Sequence, residues 1–144
     1  MTQPIATASH MSVQLEVAAP TETALVQSVL ERVLALAGDG QREDHDGASV
    51  IGFRGVAPDL AALLGVAVGA AFGAADDQGM RVLAAEVAGV MATDEGIRCW
   101  GTASVEPATG PVRLPVVVGL PIVWREAGSI RAVLIVGYEG VGDA

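Results

Sequence analysis

Twice along the chain, a short segment typical of a strand is followed within a few residues by a helical pattern. Residues 12–18 alternate apolar and polar side chains, which predicts a half-buried strand, and a helix follows from Pro20 and Thr21 to a stop at Gly38. Residues 48–55 predict a second strand, and a second helix then runs from position 58 to about position 75. Such strand–helix units constrain the fold, because each helix must bury its apolar side against a sheet or another helix.

The C-terminal half predicts strands alone. Residues 81–92, 97–106, 112–118 and 130–138 read as extended segments, and residues 119–128 read as the connection before the last strand. Pro115 has no backbone N–H to donate to a ladder, so its strand is expected at a sheet edge or at a bulge.

The order β-α-β-α-β-β-β predicts an α+β fold in which two helices pack on one face of a mixed, mostly antiparallel sheet. A length of 144 residues fits one domain. We expect residues 1–10 to form a flexible N-terminal extension and residues 11–144 to form the single domain. The second helix carries glycines at every fourth position (Gly65, Gly69 and Gly73), which predicts a stripe packed closely on a helix or a sheet.

The charge balance bears on the kind of partner that the chain can bind. All eight cations are arginines scattered along the chain, and the net charge is −9. Direct nucleic-acid binding is disfavoured, because it requires a clustered basic surface. The apolar run at 60–75 is shorter than the roughly 20 residues of a membrane span, and residues 1–11 lack the features of a signal peptide. We therefore expect a cytoplasmic protein without a membrane partner.

Five side chains are candidates for a site that binds a divalent metal ion, Ca²⁺ or Mg²⁺. Carboxylate oxygens are the ligands that these ions prefer. The candidates are Asp44, His45, Asp46, Asp76 and Asp77. The alternative for the first three is a solvated acidic loop, since neighbours in an extended chain point apart. The alternative for the last two, which follow the second helix, is a hydrated helix end.

No catalytic or cofactor-binding residue is predicted. Cys99 is the one cysteine of the chain, and neither histidine is placed near it, so we expect a buried, inert thiol. The sequence has no G-x-S-x-G nucleophile elbow, and no glycine-rich phosphate loop opens a helix.

Two stretches resemble the archease family. Residues 45–55, which begin with His45 and Asp46, and the apolar segment 59–64 are similar to that family's opening strand and helix. Residues 119–121 and 130–141 look like its closing strands, and residues 13–36 are similar to its second strand–helix unit but come first here. The family's opening Asp matches Ala48, with Asp46 displaced by two positions.

The resemblance implies an archease-like fold and an accessory role. Archeases activate an RNA ligase in tRNA splicing and bind a metal ion through acidic residues. The chain would then be a metal-binding accessory protein in RNA processing, with an RNA ligase or similar enzyme as its protein partner. One alternative is a non-catalytic binding or assembly domain that forms a homo-oligomer through exposed strands. Another is a hydrolase with an unrecognised carboxylate site.

Overall fold

Strands and helices alternate at the start of the chain, and strands alone follow. The computed structural model describes residues 12–37, 49–110 and 114–139, so the expected extension at 1–10 lies outside the described part. The elements in chain order are β1 (Ser12–Ala19), α1 (Glu22–Ala37), β2 (Ser49–Ala57), α2 (Leu60–Asp77), β3 (Met80–Thr93), β4 (Gly96–Pro107), β5 (Leu114–Glu126) and β6 (Ser129–Glu139). The predicted α+β class and the order of elements are confirmed, with four strands after α2.

Both helices begin at side chains that cap them. Thr21 Oγ1 accepts a hydrogen bond from the backbone N–H of Ala24 at 3.1 Å, and Asp59 Oδ1 accepts one from Ala62 at 2.9 Å. Each helix then buries one continuous face. The fully buried residues of α1 are Leu25, Val26, Val29, Leu30 and Val33. The buried residues of α2 are Leu63, Leu64, Ala67, Val68, Ala71, Phe72 and Ala75.

The strands form two antiparallel sheets of three strands each, where one mixed sheet was expected. Sheet A has the order β1-β6-β5, and sheet B has the order β2-β4-β3. Helix α1 contacts β1 of sheet A and β3 of sheet B, while α2 contacts β5 of sheet A and β2 of sheet B. The helices therefore pack against the inner faces of both sheets, and one hydrophobic core joins all these elements.

Polar side chains of α1 bind the backbone of strands at the edges of both sheets. Gln27 Nε2 donates to the carbonyl of Ala85 at 2.9 Å, and Gln27 Oε1 accepts from the N–H of Val87 at 2.6 Å. Both partners lie on β3. Arg32 Nη1 donates to the carbonyl of Glu16 on β1 at 3.0 Å. Since β1 and β3 are edge strands, these bonds satisfy backbone groups that have no neighbouring strand.

The glycine stripe of α2 is only partly packed. A Cβ at Gly65 would lie 3.5 Å from the side chain of Val117, so this glycine lies against β5 as expected. A Cβ at Gly69 or Gly73 would meet nothing within 4 Å. The expectation of close packing is therefore wrong for the C-terminal half of the stripe, where Gly69 is exposed.

Helix α2 is the one described element that is long and apolar enough, by length and composition, to cross a membrane. Core helices pass the same test. Here seven residues of α2 are buried against strands and α1.

Candidate functional site

The predicted metal ligands fall into two groups in the structure. Asp44, His45 and Asp46 lie outside the described residues. Asp76 and Asp77 are the last two residues of α2 rather than the start of a loop, because the helix continues to its cap at Gln78. Among residues 12–37, 49–110 and 114–139, no three His, Cys, Asp or Glu side chains are grouped as a metal site. The metal site stays a prediction.

The thiol of Cys99 lies inside sheet B, as expected. It is buried on β4, and burial raises the pKa of the Cys99 thiol above its ordinary value, although a hydrogen bond with the backbone of Gly55 opposes the shift. A thiol held in its neutral form is a poor nucleophile.

A polar groove runs between α1 and the outer part of sheet B. It has a volume of about 660 Å³, and its lining includes Gln27, Glu31, Glu86, Thr102 and Ser104. Gln27 is held here by its two bonds to β3 and by a third bond to Glu31 at 2.8 Å. An amide fixed in this way supports the edge of β3 and is not free to bind a ligand.

The outer face of sheet A carries the most exposed apolar surface of the described chain. Alternate residues of β5 point outward, and one residue of the neighbouring strand β6 lies beside them. We call this surface the sheet A patch; its members are Val118, Leu120, Ile122, Trp124 and Ile135. Leu120 is 69% exposed and Ile122 is 64% exposed. Soluble monomers seldom leave so many large apolar side chains together in solvent, and such patches mark interaction sites.

A bulge in β5 presents the patch without breaking its alternation. From Val118 to Ile122 the strand advances by four residues, while its partner β6 advances by two, from Ile135 to Val133. The two extra residues preserve the phase of the strand, since side chains alternate with a period of two. Gly119 adopts a φ of 72°, which glycine alone accepts readily, and makes the bulge possible. The segment 119–128, expected as a connection, is therefore mostly strand.

Charged groups of both signs border the patch. The indole Nε1 of Trp124 donates to Glu126 Oε1 at 3.1 Å, and Arg131 Nη1 lies 3.8 Å from the same carboxylate oxygen. An apolar centre with a polar border is the usual arrangement of a protein interface.

The homo-oligomer that is expected through exposed strands would need apolar strand segments such as 116–118 or 133–136, and only the first of these lies at a sheet edge. Residues 133–136 belong to β6, which is the central strand of sheet A and already has two neighbours. Residues 116–118 belong to the edge strand β5, and Pro115 lies on that edge as predicted. The proline and the bulge both interrupt the ladder that a further strand would need. The face of sheet A is thus better suited to association than its edge.

Sequence reasoning missed the sheet A patch, although a signal was present. The residues at positions 118, 120, 122 and 124 are all large and apolar, and alternate positions of a strand lie on the same face. The sequence-based prediction divides this run between a strand at 112–118 and a connection at 119–128.

Comparison of the chain with known protein families, with curated proteins and with solved structures gives no match. The archease resemblance therefore stays a prediction.

Proposed function

We propose that this chain is a non-catalytic assembly domain that associates with a second copy of itself through the sheet A patch. The observation that carries the proposal is the outward row of apolar side chains on β5, next to Ile135 of β6. From their exposed fractions, these residues leave an area on the order of 500 Å² uncovered, which is similar to the largest apolar patch of a typical monomer, and such patches are often functional.

Self-association requires a surface that is complementary to itself. In a two-fold symmetric dimer the same patch meets its own copy, so apolar residues must face apolar residues. Charges at the border must also be of both signs, so that a cation of one copy can meet an anion of the other. The sheet A patch meets both conditions, with Arg131 on one side and Glu16 and Glu126 nearby on the same sheet.

The size of the patch fits a dimer only if the border takes part. A stable interface buries about 800 Å² on each partner. The apolar centre supplies over half of this area, and polar residues around it, such as Gln14 and Glu16 on the exposed side of β1, would supply the rest. We therefore expect a dimer whose population depends on protein concentration.

The test is to measure the mass of the particle in solution. Size-exclusion chromatography with light scattering over a range of concentrations is expected to approach twice the chain mass of 14.6 kDa. Ile122→Asp should leave the protein monomeric, because it places a charge at the centre of the interface. Val50→Asp is the matched control, since Val50 is equally exposed at 65% but lies on sheet B. A wild-type protein that stays monomeric throughout, or equal dissociation by both variants, would refute the proposal.

The accessory role implied by the archease resemblance is a second candidate, with an RNA ligase as partner and Ca²⁺ or Mg²⁺ as ligand. The two strand–helix units β1-α1 and β2-α2 support it at the level of the fold. Calorimetric titration with Mg²⁺ and Ca²⁺ separates the two candidates, because the assembly domain needs no ion. For either role we propose the cytoplasm as the location, where a free thiol such as that of Cys99 remains reduced.

A further inference from the structure

The outer face of sheet B carries a second exposed surface, with a different composition. We call it the tryptophan–arginine patch; its members are Arg54, Val56, Met91, Arg98 and Trp100. The strand register places them together. Arg54 of β2 lies opposite Trp100 of β4, while Val56 of β2 and Met91 of β3 lie on either side of Arg98.

The indole of Trp100 is held in place at the centre of this patch. Its ring lies over Gly89 of β3, where a Cβ would come within 2.5 Å of Trp100 Cζ2. The guanidinium carbon of Arg98 is 5.9 Å from the ring centroid, close enough for a cation–π contact. The ring is nevertheless 38% exposed. A large, rigid aromatic surface with little rotamer freedom to lose favours binding.

The two arginines give this patch a charge opposite to that of the whole chain. The net charge is −9, yet neither Arg54 nor Arg98 forms an ion pair with a carboxylate in the described part of the chain. Asp77, at the end of α2, lines a groove together with Arg54 and Trp100. The carboxylates on the outer face of sheet B, Glu86 and Glu106, lie further along the strands, and Glu106 is bound by Arg81. With two arginines and one neighbouring carboxylate, the patch carries a net positive charge on a negative protein.

The composition of the patch indicates a protein as the occupant. Trp, Arg and Met are the residues enriched in the centres of protein interfaces, and Trp and Arg are enriched among the residues that dominate binding energy. A small-molecule site would enclose most of its ligand, whereas the groove that Arg54 and Trp100 line with α2 is shallow and open to solvent. Nucleic acid would be repelled by the rest of the surface.

Charge complementarity then selects the kind of protein. We propose that the tryptophan–arginine patch binds a partner protein through a segment in which carboxylates alternate with apolar side chains. The carboxylates pair with Arg54 and Arg98, and an apolar side chain packs on Trp100 and Val56. A second copy of this chain is a poor occupant, because a two-fold axis through the patch would bring the arginines of both copies together. This site is distinct from the sheet A patch.

The chain offers its own reporter for the test. It has two tryptophans, so Trp124→Phe leaves Trp100 as the single source of indole fluorescence. The probes are synthetic peptides of about twelve residues that alternate Glu with Leu, and matched peptides that alternate Gln with Leu. We expect the emission of Trp100 to shift on titration with the Glu–Leu peptide. The protein should bind the Glu–Leu peptide about ten times more tightly than the Gln–Leu peptide. The affinity for the Glu–Leu peptide should decrease when the salt concentration is raised from about 50 to about 300 mM.

Variants connect the binding to the named side chains. Arg54→Gln combined with Arg98→Gln should lower the affinity for the Glu–Leu peptide about tenfold. Arg131→Gln on sheet A is the matched control and should leave this affinity unchanged. Circular dichroism checks that each variant is folded. The titration is repeated with Ile122→Asp added, so that its result does not depend on self-association through sheet A.

Three outcomes would overturn the inference. Equal affinity for the two peptides would show that charge does not contribute to binding. Unchanged binding by the double arginine variant would show that the patch is not the binding site. Trp100→Ser that lowers the particle mass in solution would instead assign this face to a second copy of the chain.

Discussion

Gln27 holds the edge of sheet B to helix α1, and its removal should have a measurable cost. Gln27→Ala leaves the N–H of Val87 and the carbonyl of Ala85 without their side-chain partner. Each unsatisfied, partly buried group costs about 1 kcal/mol, the lower end of the usual range because water has some access. The expected loss in the free energy of unfolding is therefore about 2 kcal/mol. For a chain of this length, the corresponding decrease in melting temperature is about 7 °C.

Urea denaturation and calorimetry measure this loss. Gln14→Ala is the matched control, because Gln14 is exposed on the outer face of β1, and its removal should change stability by less than about 0.5 kcal/mol. A loss at Gln27 no larger than that of the control would show that the amide does not support the strand, and the argument for edge protection would fail.

A charged replacement adds a pH dependence with a definite sign. In Gln27→Glu, an oxygen replaces the donating nitrogen and faces the carbonyl of Ala85 and the carboxylate of Glu31. This surrounding favours the protonated form and raises the pKa of the new carboxyl above its ordinary value of about 4.3. The variant should be closest to wild type below that pH and should lose stability as the pH rises through the raised pKa. A stability difference between variant and wild type that is independent of pH from about 4 to 7 would contradict this reasoning.

Three further predictions concern single positions in the core and the helices. Gly69→Ala should raise the free energy of unfolding by about 1 kcal/mol, because the position is inside a helix and a Cβ meets open space; a loss in urea denaturation would contradict this. Gly101→Ala should lower the free energy of unfolding by about 2 kcal/mol or more in urea denaturation, since the new Cβ would overlap the carbonyl oxygen of Glu86 and the ring of Phe53. An unchanged free energy of unfolding would refute the packing described. Burial raises the pKa of the Cys99 thiol, so above the ordinary pKa of about 8.5 the folded chain keeps a proton that the unfolded chain loses. The free energy of unfolding should therefore be constant below that pH and decrease above it. Cys99→Ala should reduce this decrease, as measured by denaturation at about pH 8 to 9.5.

Local sequence signals predicted the elements, because the residues that determine them are neighbours in the chain. The alternation of Val13, Leu15 and Val17 indicated β1, and Asp59 indicated the start of α2, where it caps the helix. The division into two sheets had no such signal, since it depends on which distant strands pair. Local patterns cannot show that β1 pairs with β6 while β2 pairs with β4.

The candidate surfaces were less predictable than the fold. Their defining residues are apolar, and an apolar residue in a strand is ordinarily assigned to the core. Trp124 and Ile122 point outward because the bulge at Gly119 preserves the phase of β5, which sequence periodicity alone did not reveal across Pro121. Gln27 gave no sign of its role, since its two backbone partners, Ala85 and Val87, lie about sixty positions away.

The pairing of the first described strand with the last has a consequence for biosynthesis. Ser12 lies opposite Gly137, so sheet A joins strands that are far apart in sequence, whereas β2, β3 and β4 of sheet B all lie between Ser49 and Pro107. As the ribosome delivers the chain from its N-terminus, β1 and α1 emerge long before β6 does. Contacts between distant residues form slowly, because a long loop must close first. Sheet B with α2 can thus assemble during translation, while β1 must wait until β6 has been synthesised.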